Sequence, residues 1–278
     1  AIKKIAEKYY KLYGFLPVET PIIEFDELMR SDSANEEDEA VRDRFRLQDR
    51  GGRNLGLRYE FTFQLARIIK QNPNIRFPFK RYQIGEVFRD EPVGKNRFRQ
   101  FTQCDADIIG DPTVHADAEI LALFSDILKD LKIKNEIKVN NRRLMNSLIE
   151  SVEISSTNEI LKELDKIDKI GVDQVKANLR KYASPNQIVT LFKLLEKDIV
   201  FFKENAFPGV DELEQLMKEC KIYNLKINFS PFLVRGLAYY TGNVFEIIES
   251  NSFPSHTIAG GGRYDKTVGK YLPREVPA

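Results

Sequence analysis

The stretch from Phe88 to Gly110, FRDEPVGKNRFRQFTQCDADIIG, constrains this chain more than any other part of its sequence. It reads as two β-strands joined by a polar loop. Because side chains alternate faces along a strand, Phe101, Gln103, Asp105 and Asp107 are expected on one face. The opposite face carries small apolar residues that suit packing on a core, namely Cys104, Ala106 and Ile108. The sequence therefore predicts a hairpin with one polar, chemically equipped face.

The loop of this hairpin is rich in arginine. Arg89, Glu91, Lys95, Arg97 and Arg99 all lie between or beside the two strands. Carboxylates beside arginines suit a ligand that has both a cationic and an anionic end. A solvated hairpin with mixed surface charges is the simpler alternative for this stretch taken alone.

Composition excludes several classes of protein. The 278 residues include 43 Lys and Arg against 42 Asp and Glu, so any nucleic-acid-binding surface must be a local patch. Two cysteines are too few for a disulfide framework, and two histidines give poor support for zinc chemistry, so no metal site is predicted. The sequence has no apolar run of the ~20 residues needed to span a membrane. It also opens with no signal peptide, so we expect a cytoplasmic protein.

The chain reads as a mixed α/β domain that is interrupted by helices. Residues 1–13 have helical spacing and end at Gly14, and Pro21 begins a short apolar strand. Residues 31–42 form an acidic, poorly patterned segment that we expect to be mobile. A turn at 49–54 leads into a strand, residues 62–70 are predicted helical, and Asp111–Pro112 is expected to open a helix with Asp111 as its N-cap.

Residues 144–222 have a different character. They are rich in Leu, Ile, Lys and Glu at helical spacing, and strand character returns at 232–237 and 243–249. We therefore predict a core made of residues 1–143 and 223–278, with a helical insertion domain at 144–222.

Three further segments could carry chemistry. In LRYEFT (57–62), Glu60 and Thr62 lie two residues apart, where a carboxylate and a hydroxyl can accept hydrogen bonds from an ammonium group, although capping is the commoner role. In LVRGLAYYTG (233–242), Arg235 precedes a glycine and two tyrosines follow, or else the segment is a core strand. AGGGRYD (259–265) reads as a tight glycine turn before a short helix, with room for a ligand beside it.

Taken together, these segments resemble the catalytic domain of the histidyl-tRNA synthetases, which are class II aminoacyl-tRNA synthetases. LVRGLAYYTG and AGGGRYD are similar to the two peptides peculiar to this family, and FRDE…RFRQF…QCDAD is similar to class II motif 2. The first helix with ETPII is similar to motif 1, which builds the dimer interface in this class. The resemblance implies an α+β fold with a mixed, mainly antiparallel sheet flanked by helices and an inserted helical domain.

The resemblance also implies a role for each candidate residue. Catalysis would rest on Arg89 and Arg235, which would hold the α-phosphate of ATP, since planar guanidinium groups suit phosphate oxygens. ATP, accompanied by Mg²⁺, would also be bound by Glu91 at the adenine amine, Arg97 near the γ-phosphate and Phe101 stacked on the base. The expected partners are histidine, ATP, tRNA(His) and a second copy of the chain.

Histidine would be bound by a second set of residues. Its α-ammonium would lie among Glu60, Thr62 and Gln103. Asp107 would accept from one imidazole nitrogen while Tyr240 donates to the other. Arg235, Tyr239 and Tyr264 would complete the histidine-binding set.

This sequence departs from the family pattern in places. Ala238 stands where many members have Asp, and position 107 is Asp where some have Glu, which shortens its reach. The third class II motif and an anticodon-binding domain would follow residue 278, so we expect a catalytic fragment that is impaired by its truncation.

Other functions are compatible with parts of this pattern. The synthetase-like regulatory subunit of ATP phosphoribosyltransferase keeps the fold as a non-catalytic binding module, but such proteins typically lose the ATP-contacting arginines. A class II synthetase for threonine, proline or glycine is disfavoured by the pairing of RGLAYYTG with GGGRYD. A purely structural or dimerising domain is a third alternative.

Overall fold

The computed structural model describes residues 1–29, 42–94, 97–235, 239–250, 256–271 and 275–278. Residues 31–41 of the segment predicted to be mobile lie outside this part of the chain. The chain divides into two compact units, Ala1–Pro112 with Tyr264–Ala278, and Thr113–Arg263. The predicted domain boundaries at 143 and 223 rest on composition and stay a prediction.

Among its described residues, the first unit combines two small sheets with two α-helices. Helix α1 ends before Gly14, whose φ of 79° is the left-handed conformation expected there. The elements of this unit are α1 (Ile2–Leu12), β1 (Leu16–Pro17), β2 (Ile23–Phe25), a 3₁₀ helix (Asp26–Met29), β3 (Arg46–Gln48), β4 (Asn54–Leu57), α2 (Leu65–Gln71), β5 (Phe79–Phe88), β6 (Gln100–Ile109) and a 3₁₀ helix (Val268–Tyr271).

Strands β5 and β6 form the predicted hairpin and carry the candidate site. They are antiparallel, with Phe79 opposite Ile109 and Phe88 opposite Gln100, and β1 pairs with β5 in parallel. Strands β2, β4 and β3 make a separate antiparallel sheet in that order. On the small-residue face of the hairpin, Tyr82 lies opposite Ala106. The Tyr10 ring of α1 stacks on the Tyr82 ring, with 4.7 Å between the ring centres. That face therefore packs as predicted.

The second unit has one sheet and eight α-helices among its described residues. The sheet has the order β10–β9–β7–β8, and its one parallel pair is β7–β8. Its elements are α3 (Val114–Asp130), β7 (Asn135–Asn141), α4 (Arg142–Ser151), α5 (Thr157–Leu164), α6 (Ile167–Ile170), α7 (Val172–Leu179), α8 (Pro185–Leu195), α9 (Ile199–Glu204), α10 (Val210–Ile222), β8 (Ile227–Phe229), β9 (Asn243–Glu249) and β10 (Thr257–Gly262).

One hydrophobic cluster runs through this second unit. Leu121, Leu148, Leu191 and Leu213 come from four different helices and are fully buried in it. Local signals also set the helix ends: Ser184 and Gln187 form a reciprocal capping box at the start of α8, with Pro185 in the first turn. Burial of these apolar faces, rather than helix propensity alone, stabilises the helices.

Three predicted elements were wrong in detail. Helix α3 begins at Val114 with Thr113 as its N-cap, because Thr113 is extended (ψ 150°), which leaves Asp111 and Pro112 outside the helix. Helix α2 begins at Leu65 rather than Thr62. Residues 232–235 form no strand, and residues 236–237 lie outside the described part of the chain; the strand near them is β8, at Ile227–Phe229.

The glycine run is a strand and not a turn. Gly260, Gly261 and Gly262 end β10, opposite residues of β9. A Cβ on Gly261 would lie 2.9 Å from the Phe245 ring, and one on Gly262 would lie 2.6 Å from the carbonyl oxygen of Asn243. The glycines therefore allow close packing across the sheet. The predicted fold class is confirmed: the sheets are mixed and mainly antiparallel, with helices packed on them.

Candidate active site

The polar face of the β5–β6 hairpin is built by strand register. Gly85 lies opposite Gln103, Gln83 opposite Asp105 and Arg81 opposite Asp107. Residues directly opposite in an antiparallel pair project to the same face. Register therefore adds a buried arginine to the face on which the sequence predicted an aromatic ring, an amide and two carboxylates.

Arg89 packs close to two aromatic rings. Its guanidinium carbon is 4.5 Å from the centre of the Tyr59 ring and 5.0 Å from that of Phe101. Its Nη2 donates to Oε1 of Gln103 at 3.2 Å, and Nε donates to the carbonyl oxygen of Tyr59 at 3.4 Å. These contacts orient a fixed positive charge beside both the aromatic and the amide side chains, as anion binding requires.

Glu91 contacts two arginines of the hairpin loop and the hydroxyl of Tyr59. Its carboxylate pairs with Nη1 of Arg97 at 3.3 Å and accepts from the Tyr59 hydroxyl at 3.4 Å, while Nε of Arg99 donates to its carbonyl oxygen at 3.2 Å. The Arg97 side chain is mostly exposed. Exposed pairs contribute little to stability, so Arg97 can exchange this partner for a ligand at small cost.

Glu60 has local hydrogen bonds. Its two carboxylate oxygens accept from the backbone N–H of Thr62 at 2.5 Å and of Phe63 at 2.7 Å. Burial raises the pKa of Glu60 above its ordinary value, and these two backbone donors act against the rise. Glu60 therefore makes the kind of side-chain to backbone contact that is typical of capping, the commoner of the two roles that its sequence position indicated. A carboxylate has about four acceptor positions, so Glu60 can also accept from an ammonium group.

Gln103 and Asp105 connect Arg89 to the rest of the face. Nε2 of Gln103 donates to Oδ2 of Asp105 at 3.0 Å while its Oε1 accepts from Arg89. Burial raises the pKa of Asp105 to about 7, with Asp107 and Glu60 adding to the rise and Arg81 opposing it. Asp105 can therefore change its charge near neutral pH.

Asp107 is held from two sides. Its Oδ2 lies 2.5 Å from Nη2 of Arg81, and its Oδ1 accepts a hydrogen bond from the hydroxyl of Tyr264. Burial, followed by the negative charge of Asp107, raises the pKa of Tyr264 well above its usual range, which keeps its hydroxyl a donor. The structure thus brings together two residues that the sequence assigned separately to the histidine-binding set.

Three residues that contact the candidate site residues were missing from the predicted site. Arg81 lies opposite Asp107, Asp105 bonds to Gln103, and Tyr59 packs on Arg89. Alternation already placed Asp105 on the polar face. Arg81 could have been found by pairing the two strands outward from the loop, since residues at equal distances from it lie opposite each other.

Arg235, Tyr239 and Tyr240 belong to the second unit. Nη1 of Arg235 donates to Oε1 of Glu246 at 2.9 Å, and its guanidinium carbon lies 6.0 Å from the Tyr240 ring centre. A Cβ on Gly260 would clash with the Arg235 guanidinium, so that glycine makes room for it. The rings of Tyr239 and Tyr240 have centres 4.8 Å apart, and Tyr240 is buried.

Metal ligands and membrane spans are not found in the described part of the chain. No group of three or more His, Cys, Asp or Glu side chains there is placed to hold a metal ion. None of the helices there is both long and apolar enough to cross a membrane.

Comparison with known proteins identifies the family. The family model described as histidyl-tRNA synthetase matches residues 1–278. The chain belongs to this family. It is 40% identical over 285 residues to histidine–tRNA ligase 1 of Bacillus cereus, with 97% of this chain and 65% of that protein covered. It is 37% identical over 292 residues to histidine–tRNA ligase of Korarchaeum cryptofilum, covering 98% of the chain and 66% of the relative.

Solved structures of the family share this fold. The histidyl-tRNA synthetase from Nostoc sp. PCC 7120 superposes with a TM-score of 0.83 at 26% identity, covering 99% of this chain and 67% of that one. A protein titled ATP phosphoribosyltransferase regulatory subunit/histidyl-tRNA synthetase, from Bacillus halodurans C, superposes with a TM-score of 0.80 at 21% identity, covering 99% and 74% of the two chains. The chain thus spans about two thirds of the length of its curated relatives.

Proposed function

We propose that this chain is the catalytic domain of a histidine–tRNA ligase, which activates histidine with ATP and transfers it to tRNA(His). The observation that carries the proposal is the placement of Arg89. Its guanidinium contacts the Phe101 ring, a surface on which a base can stack, and the Gln103 amide, which leads to the carboxylates. One fixed cation thus lies beside both a surface that can bind a nucleotide base and a surface that can bind an amino acid.

The ATP half of the site consists of Arg89, Glu91, Arg97 and Phe101. In the proposed complex, adenine stacks on Phe101 and Arg97 exchanges Glu91 for the γ-phosphate, a charge-assisted contact of greater strength. Arg89 then neutralises the α-phosphate while the histidine carboxylate attacks phosphorus and pyrophosphate leaves. Mg²⁺ would enter this reaction as part of the MgATP substrate.

The histidine half consists of Glu60, Thr62, Gln103, Asp107 and Tyr264. Glu60, the Thr62 hydroxyl and the Gln103 oxygen can accept hydrogen bonds from the α-ammonium group. Asp107 accepts from an imidazole N–H, and Tyr264 holds its carboxylate in one orientation. A cationic ammonium and a hydrogen-bonding ring are the two features that such a set of acceptors can distinguish.

In the second unit we propose Arg235 as a further contact to the α-phosphate and to histidine, with Tyr239 and Tyr240 as histidine contacts. The support within that unit is the buried placement of Tyr240 and the room that Gly260 leaves for the Arg235 guanidinium. The pairing with Glu246 fixes the direction of that guanidinium. The rest of the assignment comes from the family resemblance.

Transfer of histidine completes the proposed function. A terminal hydroxyl of tRNA(His) attacks the carbonyl carbon of histidyl-adenylate, and AMP leaves. We propose that the protein acts in the cytoplasm, where protein synthesis takes place. We further propose that residues 144–222 form an insertion domain of the ligase.

Histidine-dependent exchange of pyrophosphate with ATP tests the activation step directly. We expect labelled pyrophosphate to enter ATP only when histidine is present, and threonine, proline or glycine to give no exchange. Attachment of labelled histidine to tRNA(His) tests the second step. Absence of exchange from a folded protein that binds neither histidine nor ATP would overturn the proposed function.

A regulatory function is the second candidate. It is favoured by the fold shared with the Bacillus halodurans C protein, which is described as an ATP phosphoribosyltransferase regulatory subunit/histidyl-tRNA synthetase. A regulatory module of this kind would bind histidine without needing Arg89 beside Phe101 as a nucleotide site. Histidine binding without ATP binding or exchange would therefore favour the regulatory candidate.

We also propose a homodimer formed through residues 1–25. Apolar side chains are exposed there in one stretch of chain: Leu12 is 71% exposed, Leu16 57% and Ile23 51%. Contiguous exposed apolar residues mark interaction surfaces. We expect sedimentation equilibrium to give twice the chain mass, and Leu16→Glu with Ile23→Glu to give the monomer. Val93→Glu, which changes an exposed apolar residue of the hairpin loop, is the matched control.

A further inference from the structure

Arg81 is a fully buried arginine, 0% exposed, whose Nε and Nη1 have no hydrogen-bond partner among the described residues. Its one ionic contact in the described part of the chain joins Nη2 to Oδ2 of Asp107, at 2.5 Å. A buried cation with unsatisfied donors destabilises a fold compared with an apolar side chain of similar size. A residue of this kind in a candidate site therefore calls for a functional explanation.

The carboxylates around Arg81 supply this functional explanation. Asp107, Asp105 and Glu60 all interact electrostatically with this guanidinium or with one another. Three carboxylates close together in a buried site repel each other. One guanidinium among them attracts all three, and it lies nearest to Asp107 and orients that carboxylate.

The geometry around Asp107 makes its orientation specific. Tyr264 donates to Oδ1, and Arg81 lies at Oδ2, so the carboxylate cannot rotate without losing one of the two contacts. An acceptor that is fixed in advance binds a donor more tightly than one that must be ordered on binding. Tyr264 and Arg81 together therefore leave the remaining lone pairs of Asp107 in a fixed direction.

We propose that Arg81 is a positioning residue for Asp107, through which it sets the affinity for the imidazole ring of histidine. This inference rests on the histidine activation proposed above. Arg81 does not contact the substrate in this proposal; it acts only by holding the carboxylate that does. The consequence is that loss of Arg81 weakens histidine binding and spares ATP binding, because Arg89 and Phe101 have contacts of their own.

The test is calorimetric binding of L-histidine and of ATP to the parent protein and to Arg81→Met, which keeps the length and removes the charge. We expect the dissociation constant for histidine to rise about tenfold or more, as for a misplaced binding group, and that for ATP to change less than about twofold. In the Asp107→Asn background, Arg81→Met should have almost no further effect on histidine, because residues that act as a unit are not additive.

Arg44→Met is the matched control. Arg44 is also a buried arginine paired with an aspartate, with Nη2 2.6 Å from Oδ1 of Asp26. We expect this change to lower thermal stability and leave the ratio of the two dissociation constants unchanged. If Arg81→Met does not fold by circular dichroism, Arg81→Lys carries the same test, since it keeps the charge and loses the planar geometry.

Two failures can be told apart. A parent protein that binds no histidine would overturn the proposed function and this inference with it. A parent protein that binds histidine, with unchanged affinity in Arg81→Met or Arg81→Lys, would overturn the role of Arg81 alone. The same applies if Arg81→Met weakens histidine binding equally with and without Asp107, because the effect would then not pass through that carboxylate.

Discussion

Tyr264 donates its hydroxyl hydrogen to Oδ1 of Asp107, although 157 positions separate the two residues in the chain. Both are largely buried, so each satisfies the other where water is scarce. The contact joins the segment after the glycine-rich strand to the strand that carries the predicted histidine-binding carboxylate. It makes one structural unit out of two motifs that the sequence presents far apart.

Removing this donor should reduce stability. Tyr264→Phe leaves the buried carboxylate with one partner fewer, and a hydrogen bond to a charged group contributes about 1.5–3 kcal/mol. We expect the free energy of unfolding, measured in urea, to fall by roughly that amount. Tyr223→Phe removes an exposed tyrosine hydroxyl near His115 and should change it by less than about 0.5 kcal/mol. Equal effects of the two changes would contradict this prediction.

Asp107→Asn should impair the use of histidine much more than the use of ATP. The amide keeps the shape but lacks the charge and presents donors where Arg81 and Tyr264 also donate. We expect the KM for histidine in pyrophosphate exchange to rise by roughly 10–100-fold, the value of one charged hydrogen bond, with the KM for ATP nearly constant. Asp173→Asn, on an exposed helix position, is the control. Unaltered histidine activation in Asp107→Asn would place the imidazole pocket elsewhere.

Arg89→Ala should slow adenylate formation. One preorganised charge at a transition state contributes on the order of 10²–10³ in rate, and Arg89 is oriented by Tyr59, Phe101 and Gln103. Single-turnover formation of histidyl-adenylate measures the effect. Arg53→Ala removes an exposed arginine of the β3–β4 turn and should leave the rate unchanged. A near-normal rate in Arg89→Ala would remove its assignment as a phosphate contact.

Gly260→Ala should act through Arg235. The added methyl group would clash with the Arg235 guanidinium, which is the far end of a flexible side chain and can move away while the backbone stays. We expect Arg235→Ala to slow exchange by about 10²–10³ and Gly260→Ala by about tenfold or more. In the Arg235→Ala background the glycine change should add almost nothing. An additive effect would show that Gly260 acts on something else.

The stability of the protein should depend on the charge of Asp105. Its pKa is raised to about 7 when folded, above the ordinary value of 3.8, so the folded state binds the proton more tightly. The stability that comes from this proton is present at low pH and is lost as pH rises through about 7. Between pH 5 and pH 8 we expect Asp105→Asn to gain roughly 1–3 kcal/mol relative to the parent, measured by urea unfolding at both pH values. A difference that stays constant with pH would contradict the raised pKa.

The sequence alone was sufficient for the local elements. The period of 3.6 in residues 1–13 and the alternation along 101–108 each correspond to an observed helix or strand. These features depend on neighbours within a few residues, where backbone propensity and capping decide the outcome. The fold class followed instead from the family resemblance that the motifs carry.

Prediction failed where a residue's neighbours in space differ from its neighbours in the chain. The glycine run at 260–262 was interpreted as a turn because glycine often occupies turns, but its pairing with β9 makes it a strand. The Arg235 guanidinium lies where a Cβ on Gly260 would be. Thr113 replaced Asp111 as the N-cap for a related reason. Its carbonyl oxygen accepts from Nη2 of Arg263, which is 150 positions away.

The candidate site also has a part that local sequence predicted and a part that only the tertiary structure determined. Residue types and their alternation were enough to select Phe101, Gln103 and Asp107 as members of one face. Only the tertiary structure placed Arg81 beside Asp107 and brought Tyr264 to its other oxygen. Strand register and long-range packing decide which buried charges meet, and burial removes the water that would otherwise screen them. The interaction energies of these buried charges therefore cannot be read from the order of residues in the chain.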